Sequence, residues 1–268
     1  MKISCYQVDA FTGTVFRGNP AAVCPLDAWL PDATLQNIAA ENNLSETAFV
    51  VPRGGEFDLR WFTPTMEMDL CGHATLAAAF VLFAEEIFPG NAIHFHSRSG
   101  VLMVTRIREM FTLDFPSRPA IRCSEPEELL RGLGAKPAFV LKSRDFLAVF
   151  DTEAEVHALR PDFAVLKNLE CLGIIATAPG EDCDFVSRFF APAAGVDEDP
   201  VTGSAHCTLI PYWAARLGKN KLAARQISRR GGELFCELTG DRVRIGGKAV
   251  LYLRGEIVLD DAATVHER

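Results

Sequence analysis

No part of this chain is apolar for long enough to cross a bilayer. The longest strongly apolar run, Ala74 to Ala84, stops at Glu85-Glu86, well short of the ~20 residues a spanning helix needs. The opening residues, Met1-Lys2-Ile3-Ser4-Cys5-Tyr6, have no apolar core of the kind a secretion signal carries. No two of the eight cysteines form C-x-x-C, so dithiol and ribbon-type zinc motifs find no support. Scattered cysteines without an export signal predict reduced thiols and a cytoplasmic protein. The sequence contains no G-x-x-x-x-G-K-[ST] loop and no G-x-G-x-x-G after a strand, which leaves nucleotide use unsupported. Basic residues are outnumbered, 27 Lys and Arg against 35 Asp and Glu, for a net charge of -8. Such a surface argues against nucleic acid or an anionic membrane as partner, although a local basic site inside a cleft is compatible with it.

What is present suits a folded enzyme-sized chain. Its 268 residues are 49% hydrophobic and 23% charged, enough for one large core or two smaller ones. Two segments look like copies of one device. The first is Glu67-Met68-Asp69-Leu70-Cys71-Gly72-His73-Ala74-Thr75, and the second is Asp197-Glu198-Asp199-Pro200-Val201-Thr202-Gly203-Ser204-Ala205-His206. Each runs from acidic residues through a glycine into an apolar helix. Unpaired N–H groups at a helix start attract anions, so two such starts facing each other would bind a carboxylate.

The periodicity predicts a strand over 2–8, a Gly18-Asn19-Pro20 turn, and a short strand over 21–24. A helix follows over 30–43, with Pro31 at its first position. Strands over 47–51 and 58–62 come next, so Glu46 falls at a helix-to-strand seam. The helix from His73 to about Glu86 is apolar nearly all round and must be surrounded by protein. Residues 101–108 and 111–115 read as a hairpin. The prolines of Pro116-Ser117-Arg118-Pro119 and Ser124-Glu125-Pro126 read as a linker. Beyond it come helices near 127–133 and 154–166, strands near 139–141, 146–150, 172–177 and 185–190, and an apolar helix over 204–217 with Pro211 inside it. Strands near 226–228, 233–238, 243–246 and 250–259 close the chain. The expected fold is α+β, with two pseudo-symmetric lobes, each an antiparallel barrel-like sheet around a central apolar helix. The lobes are placed at 1–117 and 118–268, the last strand being free to pair with the first lobe, and the active site in the cleft between them.

These residues carry a family likeness. Val8-Asp9-Ala10-Phe11-Thr12, Gly18-Asn19-Pro20-Ala21-Ala22-Val23, Asn43-Leu44-Ser45-Glu46-Thr47-Ala48-Phe49 and Arg60-Trp61-Phe62-Thr63-Pro64 are four of the matching segments. Asp69 to Thr75, Arg188-Phe189-Phe190-Ala191-Pro192 and Glu198 to His206 are the others. The chain resembles the phenazine-biosynthesis isomerase-like family, within the wider diaminopimelate epimerase-like fold. The resemblance implies a homodimer, a small-molecule carboxylate substrate, and neither metal nor organic cofactor. It implies a cofactor-independent isomerase that moves a proton between carbons, as the best-understood branch does with a dihydro-hydroxyanthranilate. Glu46 would be the proton shuttle. His73, Asp199 and Ser204 would hold the substrate and assist proton transfer. Gly72, Gly203, Ser45 and Asn19 would contribute to substrate binding, the glycines through backbone N–H groups.

Each residue also has a plainer reading. Glu46 is on its own pattern a solvated loop carboxylate; its functional case needs partial burial that raises its pKa. His73 can be a packing or capping side chain; a helix start favours its neutral ring, which can both donate and accept. Asp199 and Ser204 suit helix capping. Cys71 sits where racemases of this fold keep one of two cysteines, but the matching residue in the second segment is Thr202, whose hydroxyl cannot replace a thiolate. Cys71, His73, His206 and Cys207 are zinc-ligand types at a spacing that matches no common zinc pattern. His94 and His96 read as a surface pair. The competing functions are a non-catalytic ligand-binding or interaction protein on the same scaffold, and an amino-acid racemase or epimerase.

Overall fold

The computed structural model describes residues 1–260. In chain order it contains β1 (Lys2–Ala10), β2 (Asn19–Pro25), α1 (Asp32–Asn42), β3 (Glu46–Arg53), β4 (Glu56–Phe62), β5 (Glu67–Met68), α2 (Gly72–Ala84), β6 (Ala92–Ser97), β7 (Gly100–Ile107) and β8 (Met110–Pro116). There follow β9 (Ile121–Arg122), α3 (Glu127–Leu133), β10 (Phe139–Lys142), β11 (Phe146–Val149), α4 (Glu153–Ala158), α5 (Phe163–Leu166), β12 (Ile174–Pro179) and β13 (Phe185–Ala191). The last elements are β14 (Val196–Asp199), α6 (Gly203–Leu217), β15 (Lys221–Gln226), β16 (Gly232–Thr239), β17 (Arg242–Gly247) and β18 (Ala249–Val258). The fold is mixed α and β, with many strands and few helices. None of the described helices is long and apolar enough to cross a membrane.

The chain divides into two compact units, Met1–Asp114 with the segment from Gly246, and Phe115–Ile245. In the first, β18 returns to pair antiparallel with β1, from Lys2 opposite Val258 to Ala10 opposite Ala249. The sheets are not purely antiparallel, which corrects the expectation. β2 runs parallel to β3, and β4 parallel to β6. The cause is connectivity: a parallel pair needs a long crossover, and α1 and α2 lie in those two crossovers. Between them β3 and β4 form an antiparallel hairpin. The second unit repeats this order. β11 is parallel to β12 across α4 and α5, β12 is antiparallel to β13, and β13 is parallel to β15 across α6.

The apolar run read as a helix is α2, with every residue buried except Phe80 and Ala84 at its outer positions. It packs on β1, β2, β3, β7 and β18. Leu76 and Leu82 are wholly excluded from water, each contributing about 1.5–3 kcal/mol relative to an exposed side chain. On another face of the sheet, Leu35, Ile38 and Ala39 of α1 join Ile3, Cys24, Phe49 and Phe62 in a second cluster. In the second unit α6 continues through Pro211 to Leu217 and ends on Gly218 in the left-handed conformation, as the glycine stop signal requires. Its Trp213 Nε1 donates to Thr177 Oγ1 at 3.0 Å.

Several element boundaries differ from the sequence expectation. Pro31 is the N-cap of α1 rather than its first helical residue. The stretch read as one helix near 154–166 is two short helices. The strand expected at 226–228 lies earlier, at Lys221–Gln226, because Leu222-Ala223-Ala224 suits a helix as readily as a strand and hides the alternation.

Candidate active site

In the first unit the site grows from strand ends and one helix start. Glu46 opens β3 and lies beside Ala21 of β2; Asn19 opens β2, and His73 lies in the first turn of α2. His73 Nε2 stands 3.1 Å from Glu46 Oε2, with the histidine side chain 3% exposed and the glutamate 13%. The two atoms are close enough for an ion pair but not aligned as a hydrogen bond, and neither has another hydrogen-bond partner. On the other side of the ring, Asn19 Nδ2 is 3.0 Å from Nδ1, and Cys71 Sγ lies 3.5 Å from the same nitrogen. Ser45 is half-buried immediately before Glu46.

The neighbours of His73 work against the neutral ring expected from the sequence. Burial does disfavour the imidazolium, but Cys71 and Glu46 outweigh it and raise the pKa well above the usual value. Burial pushes the Cys71 thiol up to about 11, so at neutral pH it is a neutral thiol. With that thiol neutral, Glu46 is the neighbour left to favour a proton on His73 against burial. With the ring protonated, Nδ1 also donates, and a turn of the Asn19 amide offers its oxygen in place of its nitrogen.

At both helix starts the N-cap side chain leaves the first-turn N–H groups alone. Cys71 is the N-cap of α2 and Thr202 that of α6, and neither forms a side-chain cap bond. The Thr202 hydroxyl instead donates to the Asp199 carboxylate. Ser204, one residue inside α6, receives a hydrogen bond from Arg144 Nη2 at 3.2 Å. Thr202, and neither Asp199 nor Ser204, stands at the N-cap position of α6. Gly72 and Gly203 are each the first helical residue.

Two residues of the second unit escaped the sequence reading. Arg144, on the turn from β10 to β11, reaches Ser204 and also lies 3.3 Å from Asp145 Oδ2. Asp145 is buried, and its Oδ1 has no hydrogen-bond partner. The polar Ser143-Arg144-Asp145 turn between two apolar strands was the available signal. Gln226, at the end of β15, takes the Thr202 N–H at 2.8 Å and donates to the Asp199 carbonyl at 2.7 Å. Nothing in its local sequence connects it to a turn 24 residues away.

The turn leading to each helix is braced alike. Arg60 forks onto Glu67 with Nε and Nη2 at 2.7 and 2.8 Å; Arg188 forks onto Glu198 at 2.7 and 2.9 Å. Ser99 Oγ donates to the Asp69 carbonyl, and Ser228 Oγ to the Pro200 carbonyl. Asp69 itself is exposed.

Glu46, Cys71 and His73 bring a carboxylate oxygen, a sulfur and a ring nitrogen within 4.8 Å of one another, a set able to hold a metal ion. A thiol whose pKa stands at about 11 opposes this, since a metal binds the thiolate. In the second unit His206 places Nδ1 2.8 Å from the Thr202 carbonyl, and burial lowers its pKa to about 4. His94 and His96 both flank Glu56 on the surface.

Known proteins are similar to this one over most of the chain. A family model described as phenazine biosynthesis-like protein matches residues 8–255. An uncharacterised isomerase of Pseudomonas aeruginosa is 54% identical, over 97% of this chain and 100% of its own. A human phenazine biosynthesis-like domain-containing protein is 39% identical, over 96% and 99%. The crystal structure of a PhzF-family protein from Enterococcus faecalis superimposes with a TM-score of 0.94 at 50% identity, covering 97% and 100%. A probable proline racemase shares the fold alone, with a TM-score of 0.67 at 13% identity. The chain belongs to the phenazine biosynthesis-like family.

Proposed function

We propose that the protein is an isomerase that moves a proton between carbons of a small carboxylate-bearing substrate, with no metal or organic cofactor. The observation that carries this reading is the Glu46–His73 contact. A carboxylate and an imidazole stand 3.1 Å apart, and both facing atoms retain unused hydrogen-bonding capacity. Glu46 takes the proton from one carbon and returns it to another. The His73 imidazolium stabilises the negative charge that develops on the substrate as the proton leaves. Backbone N–H groups at Gly72 and His73, and at Gly203 and Ser204, bind anionic oxygens. Arg144, Asp199, Ser204, Ser45 and Asn19 supply polar contacts. The protein acts as a homodimer in the cytoplasm.

Names of relatives support the reaction class, since several are called isomerases. Racemisation by two cysteines has no second thiol, because Thr202 takes the place in α6 that Cys71 takes in α2. The test is incubation with a panel of small unsaturated carboxylic acids in deuterated water, the dihydro-hydroxyanthranilate among them. Deuterium appearing at carbon is expected for at least one acid. Binding of acids without exchange would instead favour a ligand-binding protein on this scaffold.

A further inference from the structure

Eight cysteines are free, and most are poor candidates for chemistry. Cys207 and Cys236 are buried, with burial pushing Cys207 up to about 11 and Cys236 higher. Cys5 and Cys24 are different because they face each other. The antiparallel pairing of β1 with β2 runs from Ala10 opposite Asn19 to Tyr6 opposite Val23. The next opposite positions along that register are Cys5 and Cys24. Cys24 lies in the core cluster under α1, and Cys5 packs against that cluster. Each thiol shifts the other's titration, Cys5 down and Cys24 up. Opposite residues on antiparallel strands have Cα atoms about 4.5 or 5.5 Å apart, within the roughly 4.4–6.8 Å that a disulfide spans.

We propose that Cys5 and Cys24 are a cross-strand oxidation site that a hydroperoxide converts to a disulfide. Cys5 is the half-buried member and meets the oxidant first; Cys24 is fully enclosed. Among the eight, Cys5 alone has its pKa lowered, by Cys24, which favours its thiolate as nucleophile. The Cys5 sulfur attacks the peroxide O–O bond and becomes a sulfenic acid, releasing one water. The Cys24 sulfur then displaces the hydroxyl as a second water, closing the S–S bond. Two thiols lose two hydrogens and two electrons, and one hydrogen peroxide becomes two waters. The bond joins β1 to β2 at the end of β2 opposite Asn19, so it staples the strand that presents Asn19 to His73 without touching the site.

The experiment treats the full-length protein with hydrogen peroxide, blocks remaining thiols with a maleimide after unfolding, and maps the peptides without reduction. The expected product joins the Cys5 and Cys24 peptides, and dithiothreitol restores both thiols. C5S or C5A, given the same treatment, should leave Cys24 available to maleimide. Cys5 resting at sulfinic acid beside a free Cys24, or Cys5 joined to any other cysteine, would overturn the assignment. So would a linked pair that forms only after denaturation.

Discussion

A carboxylate stands 3.1 Å from the buried His73 imidazole. Because Cys71 and Glu46 raise the His73 pKa, the imidazolium stabilises the fold in full below the unfolded pKa of about 6.5. That contribution fades as pH rises through the higher folded value. In Glu46→Gln the neighbouring charge is gone, burial dominates, and the His73 pKa should fall below 6.5. Nitrogen-15 NMR of the ring reads both values; an unchanged pKa in the variant would show that Glu46 is not the controlling charge. Arg144 gives a second expectation. Arg144→Gln should raise KM for the substrate acid by roughly tenfold or more, the loss of a charged hydrogen bond of about 1.5–3 kcal/mol, with a smaller effect on kcat. Steady-state kinetics separate the two. The positions of Glu46 and His73 were legible because each lies beside a readable break, a strand start and a helix start. The charge on His73 could not, since it depends on residues 27 positions apart meeting in space.

Between element and element, the forked pairs Arg60–Glu67 and Arg188–Glu198 set the geometry of both helix starts. Arg188 also donates to the Val156 and Leu159 carbonyls at the end of α4, so it ties three elements together. Removing one partner of an enclosed ion pair costs about 3–5 kcal/mol. With Glu198 partly exposed, Arg188→Ala should lose roughly 3 kcal/mol in chemical denaturation. Arg188→Lys should recover only part, because an ammonium cannot fork onto a carboxylate. A lysine variant as stable as the wild type would contradict the bracing role. The copies of the glycine device were legible as Cys71-Gly72-His73 and Thr202-Gly203-Ser204, and they occupy matching helix starts. The braces were not legible, because Arg60 precedes Glu67 by seven residues and Arg188 precedes Glu198 by ten. Parallel pairing escaped as well: alternation fixes which residues face inward, and the crossovers through α1, α2 and α6 decide strand direction.

Across the chain as a whole, the C-terminal strand completes the N-terminal unit. β18 covers β1 along nearly its whole length, with one irregularity at Gln7 and Val8. A chain ending before Gly246 leaves β1 without that partner and exposes a long edge. It should lose cooperative unfolding and aggregate; a truncated protein with the wild-type thermal midpoint would contradict this pairing's importance. Light scattering tests the dimer, which should give twice the 29.4 kDa chain mass; a single-chain mass at micromolar concentration would refute it.

Glu46 as the proton-transferring carboxylate is the claim on which the function rests. Glu46→Gln keeps the side-chain shape and removes the base. In deuterated water, with an acid that the wild type exchanges at carbon, the variant should bind the acid with near-normal affinity and incorporate no deuterium above background. Wild-type exchange by the variant would contradict the account.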